Sequence, residues 1–391
     1  MFQGAATLVE RLACDHVPCR TPPSVYHPRP AQRPDRGSCP PFYSPSAVRF
    51  SEMAAPADAG PVLVTGASGS IATACCAALH VAGYRVRGTV RDPARASHLA
   101  AMCPGIELVA ADLESDAGWD AACAGCVYVL HLASPFVLNA ATEAELVRPA
   151  VEGTKRVLGA ALRAGTVKRV VLTSSVVSIG AGHEGTEKAK QGDVFTEADW
   201  STSKADFYSK SKLFAEQAWP IVKGTHLELV AICPSYVQGP LSSARDCTSA
   251  MTVRKLLNGE YPMLPRAGFF LCDMRDVVAA QLAAMTVPCA AGQRYIVHSG
   301  SPLLTDIGRV LAEAYRPQGY KVPTLAMPDW LVHVLAIFIK DLALIKGDLR
   351  KVKLYDSSKA QRELGIKLHT WEEAVLATAA SLIEHGVVKK P

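Results

Sequence analysis

Tyr208 and Lys212 stand four residues apart in the run Tyr208-Ser-Lys-Ser-Lys212. On a helix, positions i and i+4 share one face, so a phenol and an ammonium would project side by side. Upstream, the apolar run Arg169–Thr173 ends at Thr173-Ser174-Ser175. If that run is a buried strand, its hydroxyls fall at a carboxyl end, where ligands and reactive groups gather in open parallel sheets. A hydroxyl, a phenol and an ammonium can manage a proton at a carbonyl oxygen. A free phenol titrates near 10, and a neighbouring cation favours its ionised form. The sequence therefore predicts that Lys212 lowers the pKa of Tyr208. Tyr208 is then a general acid for reduction and a general base for oxidation, and Ser175 steadies the carbonyl oxygen and the developing alkoxide. Tyr-x-x-x-Lys alone is a weak signal, because Lys204, Lys210 and Lys212 could simply be a solvated helix face. A second motif gives it weight.

That motif is Gly66-Ala67-Ser68-Gly69-Ser70-Ile71-Ala72, directly after the apolar run Val62-Leu63-Val64-Thr65. It reads as Gly-x-x-Gly-x-x-Ala between a strand and a helix, the context that turns a glycine pattern into a dinucleotide site rather than a structural turn. Gly66 permits the turn, Gly69 leaves room for a pyrophosphate, and Ala72 lets the helix sit close to the strand. The helix N-terminus offers free N–H groups to the anion, with Ser68, Ser70 and Ile71 along it. An NAD site usually carries an acid about 20 residues further on. Here that region reads Thr89-Val90-Arg91, with Arg95 a turn later. Two cations suit a ribose 2′-phosphate, so NADPH is expected over NADH. The alternative is that Arg91 pairs with Asp92 or a nearby carboxylate on the surface. Asp112 and Leu113 are placed to line the adenine pocket, and Lys212 to hold the nicotinamide ribose.

The elements that must position these groups alternate along the chain. Pro61–Thr65, Arg85–Val90, Glu107–Ala110, Val127–Leu132 and Arg169–Thr173 read as strands. Ser70–Ala82, Ala94–Met102, Ala117–Ala124 and Glu143–Ala164 read as helices. Such alternation predicts an α/β fold, a Rossmann-type doubly wound parallel sheet with right-handed crossovers. The first sixty residues differ. They hold ten of the 26 prolines, a density neither helix nor strand tolerates. Residues 1–57 are expected to be a disordered extension, either a targeting segment or upstream of a true start at Met53. Glu10, Asp15, Asp35, Glu52 and Asp58 offset its six arginines, unlike an acid-poor transit peptide.

The 391 residues carry 41 Lys and Arg against 36 Asp and Glu. A net charge of +5 over this length gives no case for nucleic acid. The longest apolar run, Leu331–Ile339, falls short of the ~18 residues of a membrane span and reads as a buried helix. The twelve cysteines are scattered, and Cys123-x-x-Cys126 has no second pair at zinc spacing, so no metal is expected. Free thiols point to a reducing compartment, the cytoplasm unless the first 57 residues direct the chain to an organelle.

The ordered set of motifs resembles the extended short-chain dehydrogenase/reductases of the NAD-dependent epimerase/dehydratase family. Within them it is similar to the dihydroflavonol-4-reductase-like branch, which includes aldehyde, methylglyoxal and cinnamoyl-type reductases. The likeness spans about residues 60–388. It rests on Val-Thr-Gly-Ala-Ser-Gly at 64–69, Thr-Val-Arg-Asp-Pro at 89–93, Asp112-Leu113, His-Leu-Ala-Ser-Pro at 131–135 and Val-Glu-Gly-Thr at 151–154. Thr-Ser-Ser at 173–175, Tyr208 with Lys212, Pro234 with Gly239-Pro240, Arg275-Asp276-Val277 and Ser358-Lys359 to Leu364-Gly365 complete it.

The resemblance implies that Ser175, rather than Ser174, is catalytic with Tyr208 and Lys212. It implies that Thr173, Ser174, Ala133 and Ser134 run along the cofactor, and that Pro234 and Val237 lie near the nicotinamide. It implies one unit over 58–391: a Rossmann core at about 60–237 plus 269–299, and a substrate lobe at about 238–268 plus 300–391. Leu271–Asp276 would return the chain to the core, Arg294–His298 would be a late strand, and Cys233 and Cys272 would be core residues. The expected partner is a small carbonyl substrate, with oligomeric state open. Two departures stand out. Flavonoid reductases carry an Asn five residues after the catalytic Ser, where this chain has Gly180, and the stretch 182–192 is polar and Lys-rich. A flavonoid substrate is therefore not expected. Arg156 stands where the family often has Asn, expected behind the catalytic strand. The reading is an NADPH-dependent aldehyde or ketone reductase. Its alternatives are a 3β-hydroxysteroid-type dehydrogenase or sugar-nucleotide epimerase, and a non-catalytic dinucleotide sensor.

Overall fold

The computed structural model describes residues 60–135, 142–183, 186, 194–243, 248–389 and 391. The proline-rich segment, Cys14, Cys19, Cys39 and Cys247, and most of the polar stretch 182–192 lie outside the described residues.

Seven strands, all parallel, form one sheet in the order β3-β2-β1-β4-β5-β7-β11. They are β1 (Val62–Thr65), β2 (Val86–Val90), β3 (Glu107–Ala110), β4 (Tyr128–His131), β5 (Arg169–Thr173), β7 (Glu228–Pro234) and β11 (Arg294–Val297). Strand side chains alternate between faces, and both faces here are covered. Val62 and Val64 of β1 join one core with Val171 and Ile232. Leu63 joins the opposite core with Val170, Leu172 and Leu229. A sheet buried on both sides explains why these strands read as unbroken apolar runs.

Helices cover both faces. The first core packs against α1 (Ser70–Val81) and α8 (Met274–Thr286). The second packs against α3 (Trp119–Cys123) and α4 (Glu143–Ala164), whose buried stripe includes Val157, Leu158 and Ala161. Helix α4 begins after Thr142 with Glu143 and Glu145 in its first turn, where negative charge meets the positive dipole end. It ends at Gly165, which takes a φ of +66°. A third apolar cluster joins α7 (Met251–Leu257), α9 (Leu304–Tyr315) and α13 (Trp371–Glu384) through Leu256, Leu311 and Val375. The eight described cysteines are free thiols, and all but Cys289 are buried, Cys233 and Cys272 among them. Cys123 and Cys126 are core residues, and the described residues include no cluster suited to a metal.

Some local expectations are corrected. The helix expected over Ala94–Met102 is a 3-10 turn at Pro93–Arg95 and a short α2 at Leu99–Met102. Asp92 caps the turn by accepting from the Ala94 N–H at 3.0 Å, and this local hydrogen bond replaces the first helical turn. The run Leu331–Ile339 is not one buried helix. α10 covers Asp329–Leu335, only Val332 and Ala336 of the run are buried, and Ile337 and Phe338 are exposed. A helix this short can turn only one stripe inward. No helix among the described residues is long and apolar enough to cross a membrane.

Candidate active site

The sheet reverses its winding between β1, which continues to β2 on one side, and β4 on the other. Ligands bind at such a switch point, outside the carboxyl ends of the strands. The turn at 66–72 lies there. Gly66 has a φ of +64°, and a Cβ on it would meet the Ala133 backbone at 3.1 Å. Only glycine avoids both the strain and the contact. Gly69 has an ordinary φ of −72°. Its missing side chain serves access, since a Cβ there would touch little beyond the Gly66 carbonyl at 3.3 Å. Ser68 and Gly69 are exposed, Ser70 and Ile71 half-buried, and the first turn of α1 carries no acidic residue. An open helix N-terminus beside two glycines fits a pyrophosphate.

The surroundings fit the rest of a dinucleotide. Thr65 fixes the far wall: its hydroxyl accepts from the N–H groups of Leu132 at 3.1 Å and Ala133 at 2.9 Å. Ala133 and Ser134 are thereby held half-buried against the turn. Arg91 and Arg95 are exposed and have no side-chain partner among the described residues. Asp92 accepts the Ala94 N–H in its cap, and Arg91 forms no ion pair with it or with another carboxylate among the described residues. Asp112 is half-buried and accepts from the Glu114 N–H at 3.0 Å, which fixes its loop. Leu113 packs against Gly153.

The candidate catalytic groups come from two elements. Helix α6 (Phe207–Glu216) starts at Asp206, whose carboxylate accepts from the Ser209 N–H at 3.0 Å. Tyr208 and Lys212 share a face of it, with the Lys212 ammonium 5.9 Å from the Tyr208 ring centroid. Lys212 is buried and donates to the Thr173 carbonyl at 3.3 Å, which ties this helix face to the carboxyl end of β5. Ser175, two residues on, is half-buried, and its hydroxyl lies 3.4 Å from the Pro234 carbonyl at the end of β7. Val237 is half-buried on β8 (Tyr236–Gln238).

The pKa expectation is corrected. Burial, then the Asp206 charge, pushes the Tyr208 phenol up to about 12. Lys212, whose own pKa burial lowers to about 8, is still mostly charged at neutral pH but does not outweigh the desolvation of the phenol. A desolvated phenol favours its neutral form more strongly than one cation across its ring can offset. At neutral pH Tyr208 is therefore protonated, the form a proton donor requires.

Thr173 and Ser174 line one small cavity with Ala133, Ser134 and Lys212, and their hydroxyls are engaged within the protein. The Thr173 hydroxyl accepts from Gln281 at 2.7 Å, and the Ser174 hydroxyl donates to Glu216. Sequence reasoning missed Glu216 and its partner Arg294, which form a buried ion pair beside the site. The spacing was available, since Glu216 follows Lys212 by one more helical turn. His131 was likewise seen only within a motif. It is buried, and desolvation, then Lys212, lowers its pKa to about 3. Thr65 already accepts two N–H groups, so its own hydrogen goes to His131 Nδ1 at 2.8 Å. Thr154 donates to the Ala150 carbonyl, which leaves its oxygen to accept from His131 Nε2 at 3.4 Å. The ring is neutral, with its hydrogen on Nε2.

The departures have structural explanations. A Cβ on Gly180 would come within 2.5 Å of the Tyr355 hydroxyl, and Lys353 donates to the Gly180 carbonyl at 3.1 Å. The space a side chain would take at 180 belongs to the C-terminal third of the chain. Arg156 reaches the Leu113 carbonyl at 2.7 Å and pairs with Asp116. It braces the loop beside Asp112, and not the back of β5.

Residues 62–297 match the model of the NAD dependent epimerase/dehydratase family. The chain is 32% identical over 339 residues to a cinnamoyl-CoA reductase of Medicago truncatula, covering 83% of this chain and 95% of the relative. It is 32% identical over 352 residues to a dihydroflavonol 4-reductase of Zea mays, covering 84% and 90%. Among solved structures, yeast methylglyoxal/isovaleraldehyde reductase Gre2 complexed with NADPH is similar at a TM-score of 0.68 and 26% identity, covering 83% and 98%. The chain belongs to the NAD dependent epimerase/dehydratase family, in its dihydroflavonol reductase-like branch. It is an oxidoreductase of that family.

Proposed function

We propose that this protein reduces an aldehyde or ketone to an alcohol with NADPH. One observation carries the reading: Lys212 bonds the Thr173 carbonyl at the end of β5, which supports Tyr208, on the same helix face, and Ser175, two residues beyond Thr173, acting at one site. Ser68, Ser70, Ile71 and the glycines 66 and 69 would hold the pyrophosphate. Arg91 and Arg95 would hold the 2′-phosphate, Asp112 and Leu113 the adenine, and Ala133 and Ser134 the chain between. Pro234 and Val237 would flank the nicotinamide. When bound, NADPH supplies the hydride.

The chain's own groups manage the oxygen. The Tyr208 phenol holds a proton for it, the Ser175 hydroxyl hydrogen-bonds it as negative charge grows, and the Lys212 ammonium adds positive charge beside the phenol. A phenol held at about 12 is protonated at neutral pH, the form in which it can give a proton. Residues 238–268 and 300–391 would supply the substrate side. The reductase names of the relatives and the NADPH of yeast Gre2 support this reading, and the buried free thiols support a reducing compartment such as the cytoplasm.

The test is NADPH oxidation at 340 nm over a panel of aldehydes and ketones, with Tyr208→Phe alongside. Turnover should fall about 100-fold or more in the variant, the scale of a positioned general acid. NADPH binding without turnover on any carbonyl, or a Tyr208→Phe enzyme as fast as the parent, would sink the reading.

A further inference from the structure

Glu216 is a carboxylate with no solvent exposure on the helix that carries Tyr208 and Lys212. A buried charge is costly unless it is paired and hydrogen-bonded. Arg294, at the start of β11, supplies the pair. The remaining bonds reach the segment that presents Ser175. Ser174 donates to Glu216 Oε2. Ser178 lies 2.7 Å from that oxygen and also 2.7 Å from the Ser175 carbonyl. Arg294 in turn donates to the Glu197 and Asp199 carbonyls at 2.8 Å each and stacks 3.7 Å from the Trp200 ring. Ser201, next in the chain, donates its N–H to the Ser178 carbonyl at 2.8 Å. One ion pair thus joins the Ser175 segment, the helix of Tyr208 and Lys212, and the loop that leads to that helix.

We propose that Glu216, held by Arg294, is a positioning residue: through Ser174 and Ser178 it fixes the backbone that aims Ser175, and from one turn beyond Lys212 it keeps that ammonium in place. This deepens the reductase reading and rests on it. Replacing a buried ion pair with apolar groups is often neutral for stability, so stability alone gives little reason for a charge in this place. Its bonds to both flanks of Ser175 supply a reason. The titratable groups facing Lys212 are Tyr208 and Glu216 on its own helix, Cys233 on β7 and His131 on β4. Burial lowers the Lys212 pKa, and of these groups the Glu216 carboxylate is the charge that acts against it, since burial keeps the Cys233 thiol neutral.

The experiment compares the full chain with Glu216→Gln, which removes the charge and keeps the shape, and Ser178→Ala, which removes the hydroxyl between Glu216 and the Ser175 carbonyl. NADPH binding is followed by nicotinamide fluorescence from pH 6 to 10, and turnover is measured on the best carbonyl of the panel. In Glu216→Gln the alkaline midpoint of binding should move down by about half a pH unit or more, because Lys212 loses a facing negative charge. In both variants kcat should fall about fivefold, the factor one net hydrogen bond carries, with the carbonyl KM within twofold of the parent. A purely structural pair would lower the melting temperature and leave kcat and the midpoint unchanged, and that result overturns the proposal. If Glu216→Gln does not fold, Ser178→Ala decides alone: parental kcat overturns it. If the parent binds NADPH but turns over no carbonyl, the reductase reading fails, and the binding midpoint of Glu216→Gln still decides whether Glu216 acts on Lys212.

Discussion

Raising the pH from 7 to 9 should switch off cofactor use through Lys212. Burial lowers this ammonium to about 8, while Tyr208 stays protonated up to about 12. With a pKa of about 8, roughly nine tenths of Lys212 is charged at pH 7 and about one tenth at pH 9. The expected loss is about tenfold. The assay is kcat/KM for NADPH, which reports groups of the free enzyme. Its logarithm should fall with a slope near −1 above about pH 8. The neighbouring Cys233 thiol does not titrate in this window, because burial pushes it up strongly. His131 is neutral throughout, at about 3. Lys212→Arg is the control. A guanidinium keeps its charge to above pH 12, so its profile should stay flat through pH 9. Its level should be lower, because the fork replaces a single ammonium in the buried space beside the Thr173 carbonyl. A parent profile flat to pH 10, or an equal fall in Lys212→Arg, would refute the assignment of charge to Lys212.

Two further outcomes are expected. Arg91→Ala should raise KM for NADPH about tenfold and leave NADH use within about twofold, since a charged hydrogen bond is worth about 1.5–3 kcal/mol; steady-state kinetics with both cofactors checks this, and equal losses would remove Arg91 from the 2′-phosphate site. The second concerns His369, whose N–H and ring Nδ1 meet Asp276 at 2.8 and 2.6 Å at the start of the C-terminal segment. The hydrogen bond to Asp276 raises His369, and burial raises Asp276. Both shifts give stability that is present below their unfolded pKa values and lost as pH rises through the folded ones. For His369 that loss begins above about 6.5, so the melting temperature should drop by about 2 °C between pH 6 and 8. His369→Phe should abolish the drop, and an unchanged drop would place it on another group.

Much of this protein was legible one residue at a time. The two-sided sheet follows from unbroken valine and leucine runs, because parallel strands bury both faces. The bounds of β5 and α4 match the expected ones, since strong apolar periods end there in polar or glycine residues. The glycine turn carries its own reason, a positive φ at Gly66 and open space at Gly69. Other features depended on neighbours distant in sequence. The filling of the space at Gly180 depended on Tyr355, 175 residues on, whereas the break in 94–102 came from local capping by Asp92. Ile337 and Phe338 lie beyond the end of α10 and stay exposed, while Val332 and Ala336 found a core.

The sequence by itself determined the parallel sheet, the dinucleotide turn and the pairing of Tyr208 with Lys212 on a helix face, because each depends on spacing within one short segment. Only the tertiary structure decided the protonation of Tyr208, the partners of Ser174 and Thr173, the filling of the space at Gly180 by Tyr355, and the Glu216–Arg294 pair. Burial and long-range hydrogen bonds join residues far apart in the chain, and they set the charge and direction of groups whose identity alone leaves both open.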